Sequence, residues 1–175
     1  MNYKIILICA CLLMNCNDSI KSYKSLDKSY TSDELYTSLQ KALKNKDEVK
    51  ILKMHDHKIE QIPPEIGQLQ KLEVLSINSN ILKSIPPEIG ELQQLRFIFM
   101  IGNDIQTLPP EIGELRNLEK LHLMMNDIRR LPLEITKLNN LKEIVLWGND
   151  NLDMKNIEAL REKMPHCDIV TVGAR

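Results

Sequence analysis

The sequence predicts an α/β solenoid whose parallel sheet lines the inner curve of an arc, and three observations predict it. From Val49 to Asn140 the chain repeats every 23 residues, four times over, without insertion or deletion, and a fifth copy begins at Leu141. Apolar residues recur at the first, fourth and sixth positions, and Asn stands at the ninth in all copies but the first. A block reading I/L-P-P-E-I-G-x-L opens at the fourteenth position of the first three copies. Self-similarity at this period means that no unit buries its own apolar face; stacked neighbours share one core.

The elements follow in order along a unit. The fourth positions (Leu52, Leu75, Ile98, Leu121, Ile144) and the sixth (Met54, Ile77, Met100, Leu123, Leu146) alternate with intervening residues, as in a strand buried on one face. A fixed period brings every strand in from the same side, so the sheet is parallel. At the ninth position, Asn80, Asn103, Asn126 and Asn149, with His57 in the first copy, form a structural ladder. A carboxamide supplies both donor and acceptor to a bend that turns backbone groups inward. Pro63-Pro64, Pro86-Pro87 and Pro109-Pro110 then favour an extended course, and the Glu that follows suits the start of a short helical turn. The fourth copy reads Leu131-Pro132-Leu133-Glu134-Ile135-Thr136, which predicts a looser turn.

With period, Asn and Pro-Pro block in one register, residues 49–151 resemble bacterial leucine-rich-repeat proteins of the 23-residue class, LxxLxLxxNxIxxLPPEIGxL. The resemblance implies a right-handed solenoid, with helical or 3-10 turns on its convex side and a concave strand face that binds another macromolecule. It implies no particular partner.

The flanks are expected to close the open ends of the core. Residues 31–48 read as a helical cap, with Thr31 and Glu34 as a capping box and Leu35, Leu39, Ala42 and Leu43 on one helical face. Residues 152–175 read as the second cap: Asp153 starts a helix carrying Met154, Ile157, Leu160 and Met164, Pro165 stops it, and Cys167 to Val172 alternate like a last strand. Cys167 is expected to be a small packing residue.

Residues 1–15 pose a separate problem. Lys4 followed by the mostly apolar Ile5 to Met14 has the size of a secretory signal core and is short for a bilayer span. The sequence Leu12-Leu13-Met14-Asn15-Cys16 resembles a relaxed bacterial lipobox, which implies lipidation of Cys16 and membrane anchoring. Residues 16–30 would then be the lipidated Cys and a polar tether, spanning on the order of 20 Å as a coil. The other reading is an uncleaved leader on a cytoplasmic protein.

A net charge of −1 with dispersed Lys and Arg argues against nucleic-acid binding. The third, fifth and seventh positions alternate with the buried ones and face the hollow. Both Phe residues and the single Trp fall there. Phe97, Phe99, Ile101, Met124, Met125, Val145 and Trp147 predict an exposed apolar patch, with His122 beside it and Lys53, Lys120 and Glu143 on a polar rim. No catalytic residues, cofactor or metal site are expected: alternation sends His55 and His57 of His55-Asp56-His57 in different directions, and no Ser or Cys nucleophile adjoins His122. The expected function is a lipid-anchored, exported protein-binding module with its protein ligand on the concave face. The alternatives are an intracellular scaffold using that face, and a homodimer formed through it.

Overall fold

The computed structural model describes residues 35–55 and 58–171, with side chains from 37 onward. Seven strands form one sheet in sequence order: β1 (Leu35–Tyr36), β2 (Ile51–Lys53), β3 (Val74–Ser76), β4 (Phe97–Phe99), β5 (Lys120–His122), β6 (Glu143–Val145) and β7 (Asp168–Val170). Every pairing is parallel, and from β2 to β6 each residue pairs with the one 23 positions on, as Val74 does with Phe97 and Phe97 with Lys120. Repeat period and sheet register are therefore the same number. Behind the sheet, one continuous core runs the length of the molecule through residues such as Leu52, Leu75, Ile98, Leu121 and Ile144, all fully buried.

Each unit closes through a 3-10 turn: Pro64–Gln68, Pro87–Glu91, Pro110–Glu114 and Leu133–Lys137. The residue before each turn is a Pro held extended, with ψ of 147° to 155°, and Ile66, Ile89, Ile112 and Ile135 point into the core. Fixed φ and a missing N–H suit Pro to this entry. The looser fourth turn expected from Leu133 and Thr136 is not found; Pro132 alone sets the same entry, and Leu133 is left 54 % exposed. Thr136 occupies the place of Gly67, Gly90 and Gly113 for a steric reason. A Cβ on Gly90 would stand 2.8 Å from the Glu111 carbonyl oxygen of the next turn, and one on Gly113 would collide with the Glu134 carbonyl. After the fourth turn comes a helix, and Thr136 instead bonds its own turn through Leu133 O at 2.7 Å.

The first cap differs from expectation. Leu35 belongs to β1 and pairs with Ile51 instead of lying on the helix, which spans only Leu39–Lys44 (α1). Pairing satisfies backbone groups that the edge of β2 would otherwise leave open. Ala42 is fully buried, with Leu39 and Leu43 packed on the core beside it. The Thr31–Glu34 capping box, the leader 1–15, Cys16, the tether and His57 lie outside the described residues.

The second cap matches its reading more closely. Asp153 accepts from the N–H groups of Lys155 and Asn156 and starts α2 (Met154–Lys163), which buries Ile157 and Leu160; Met154, expected inside, is 43 % exposed on the first turn. Asp168 N–H and Val170 C=O face β6, so Ile169 faces the open edge, where Arg161 donates to its carbonyl at 2.7 Å. A capped edge is a poor template for further strands. Burial pushes the Cys167 thiol up to about 12, with Asp168 and Glu143 adding to it, which keeps the sulfur a packing atom. Among the described residues no helix is long and apolar enough to cross a membrane.

Candidate concave-face interaction site

A few residues past the end of each strand stands the ninth-position Asn. Asn103 donates to Ile77 O at 2.9 Å and accepts from Leu82 N–H at 3.2 Å; Asn126 bonds Met100 O at 2.9 Å and Ile105 N–H at 3.1 Å. Asn80 and Asn149 repeat the arrangement. Each carboxamide thus stitches its own unit to the preceding one. Asn156, not foreseen, adds a rung from α2 by pairing with both backbone groups of Leu131. The helix had been read only for its apolar face, which hid a polar residue turned inward.

Before each ninth-position Asn the chain turns through a left-handed residue: Ser79, Gly102, Met125 and Gly148 all have φ between 56° and 77°. The mixed residue types concealed this row. At Gly148 any Cβ would also stand 3.0 Å from the Met125 side chain. Such backbone aims Met125 sideways toward the hollow.

The hollow itself is lined as alternation predicts, but it is far less open. Phe97 is 5 % exposed, Phe99 1 %, His122 1 %, Met124 4 %, Met125 6 % and Val145 3 %; only Ile101 and Trp147 of the expected patch are half-buried. The expected exposed patch is corrected accordingly. None of these side chains joins the main core. Ile51, Val74, Phe97 and Phe99 form one cluster, and Met124, Met125 and Val145 form another, against which Ile101, Trp147 and Val170 pack. Residues in register stand one strand spacing apart, about 4.8 Å, so large side chains shield each other's flanks.

His122, expected beside the patch, is tucked between the two clusters. Its ring meets Phe99 edge-on at 5.0 Å, and its Nε2 bonds the Glu143 carboxylate, which Lys120 also approaches at 3.8 Å. A second polar group joins His55 Nε2 to Ser76 Oγ at 2.7 Å, with Asn78 donating to the same oxygen at 3.3 Å. A Ser–His contact matters chemically only where the hydroxyl can reach a substrate, and Ser76 is 0 % exposed. Asn78 also accepts from Ile101 N–H, which makes this group a tie between strands. No set of His, Cys, Asp or Glu with metal-binding geometry occurs among the described residues.

Along the entry edge, the second-position row reads Lys50, Glu73, Arg96, Glu119, Lys142, with sign alternating at every unit. Arg96 reaches Glu119 at 2.6 Å and Glu73 at 3.9 Å, and Lys142 reaches Glu119 at 2.7 Å. The guanidinium also lies over the Phe97 ring, 5.0 Å from its centre. This row was visible at the repeat period, but reading basic residues for a one-signed stripe passes over alternation. Partial burial by itself raises the Glu119 carboxyl, but the bonds and charges of Lys142 and Arg96 outweigh it and hold the group below its ordinary value. A lowered folded-state value means stability that is present above the unfolded value and lost as pH falls through the folded one. Glu119→Gln should therefore flatten the fall in stability below about pH 4.5 in acid titrations followed by circular dichroism; an unchanged acid limb would show that the cluster contributes nothing.

The comparisons with known proteins agree with this geometry. The leucine-rich repeat region family matches residues 87–168. The fold is a leucine-rich-repeat solenoid. A leucine-rich-repeat protein of Leptospira interrogans is similar at 32 % identity and a TM-score of 0.71, over 78 % of this chain and 34 % of that one. An internalin of Listeria monocytogenes shares the fold at 18 % identity and a TM-score of 0.64, over 75 % of this chain and 37 % of that one. The chain spans about a third of the length of these leucine-rich-repeat structures. No curated protein matches its sequence.

Proposed function

We propose that this protein is a non-catalytic protein-binding module, held at the cell envelope by a lipid on Cys16, that engages a partner protein through the C-terminal end of its concave face. Leucine-rich-repeat architecture supports the binding role, and the leader ending at Cys16 supports the anchor.

The observation that carries the reading is Trp147. Its indole sits half-buried against the cluster of Met124, Met125 and Val145, and its Nε1 is shielded from solvent with no acceptor among the described residues. Buried indole N–H groups ordinarily find a partner, and Trp is a frequent anchor of binding energy. A carbonyl oxygen presented by a bound protein completes the bond. Trp147→Ala should reduce capture of partner from an envelope extract by about tenfold or more, the loss typical of an anchor residue. Capture that survives the change in a folded variant rejects this surface. Palmitate labelling that depends on Cys16 is the parallel test of the anchor; label retained after Cys16→Ser would reject it.

A further inference from the structure

The last strand carries a charge that the sheet does not balance. In β7 the main core takes Ile169, so Asp168 and Val170 alternate into the hollow, where Val170 packs on the cluster of Met124, Met125 and Val145. Asp168 pairs in register with Glu143, which sets two carboxylates on one face a strand spacing apart, about 4.8 Å. Like charges so placed destabilise a sheet. Glu143 is compensated from its other side, by Lys120 at 3.8 Å and by His122. Asp168 is exposed, and its carboxylate has neither a hydrogen bond nor an ion pair among the described residues. Elsewhere the repeats set opposite charges in neighbouring units, as from Lys50 to Lys142. The Asp168 carboxylate is thus a cost that nothing described within the sheet offsets.

Two residues further along the strands stand Val145 and Val170, paired in register, and two beyond Val145 stands Trp147, with its shielded and unpartnered Nε1. Anion, apolar floor and hydrogen-bond donor therefore follow one another along the hollow. We propose, resting on the binding role of Trp147, that the partner docks here as an extended segment carrying a basic side chain. Its cation meets Asp168, an apolar neighbour lies on Val145 and Val170, and a main-chain carbonyl accepts from Trp147 Nε1. Four residues of strand separate the rows of Asp168 and Trp147, about 13 Å, so cation and carbonyl stand roughly four residues apart in the bound segment. Docking removes water from around the carboxylate and strengthens its bond to the cation.

Selection of short random peptides on the full chain tests the proposal. Peptides retained by the wild type should be enriched in Lys or Arg beside an apolar residue, and Asp168→Asn should weaken them about tenfold and reduce their sensitivity to salt. Peptides that need Trp147 but show no basic preference, or that keep it on Asp168→Asn, overturn the proposal and leave the binding role of Trp147 standing. Peptides indifferent to Trp147→Ala reject both, as does a library from which nothing is retained. The unliganded chain gives a second readout. In low salt Asp168→Asn should raise the urea midpoint, because it removes the repulsion of Glu143. A midpoint that stays or falls means that the carboxylate already has a cation within the chain, which also overturns the proposal.

Discussion

Replacing Phe99 by Ala should destabilise the solenoid by about 3–5 kcal/mol, the range for removing a buried aromatic ring. The ring is 1 % exposed, belongs to the cluster with Ile51, Val74 and Phe97, and meets His122 edge-on. Truncation leaves a hole that the strands cannot close, because their spacing is set by backbone ladders. The check is a urea midpoint shifted to lower concentration with an unchanged slope. A loss under about 1 kcal/mol would mean that the ring is solvated. Phe99 is consequently a probe of folding, whereas Trp147 is the probe of partner contact.

Asn103→Ala should cost about 2–4 kcal/mol, because it strands two buried backbone groups, Leu82 N–H and Ile77 C=O. Asn103 is fully buried in the middle of the array, so neither group regains water when the side chain is lost. In a solenoid the unit that weakens also loosens both its neighbours. Broadening of the urea transition would accompany the shift as cooperativity between halves declines. A cost near zero would show that another group replaces the carboxamide, and the ladder would lose its structural meaning.

Much of this architecture was legible because period and register coincide. Once Val74, Phe97 and Lys120 are written 23 residues apart, their pairing across β3, β4 and β5 follows. The Asn ladder was legible for the same reason, since one side chain can meet both backbone needs at a bend. Leu35 was misread because a two-residue strand has no periodicity to compete with a helical pattern that includes it. Exposure on the concave face was misjudged because alternation tells which way Phe97 and Phe99 point, not how tightly Ile51, Val74, His122 and Arg96 pack around them. Asn156 and the left-handed row at Ser79 and Met125 reflect tertiary and backbone demands that residue type does not announce.

The alternating row from Lys50 to Lys142 also bears on how such a molecule can grow or shrink. Duplicating one coil, say residues 72–94, would set Glu beside Glu and turn an attraction into a repulsion at the seam. Copying 72–117 as a block would keep every pair of neighbouring charges opposite in sign. Parity therefore governs length: arrays built on this edge are expected to tolerate gain or loss of coils in twos more readily than singly.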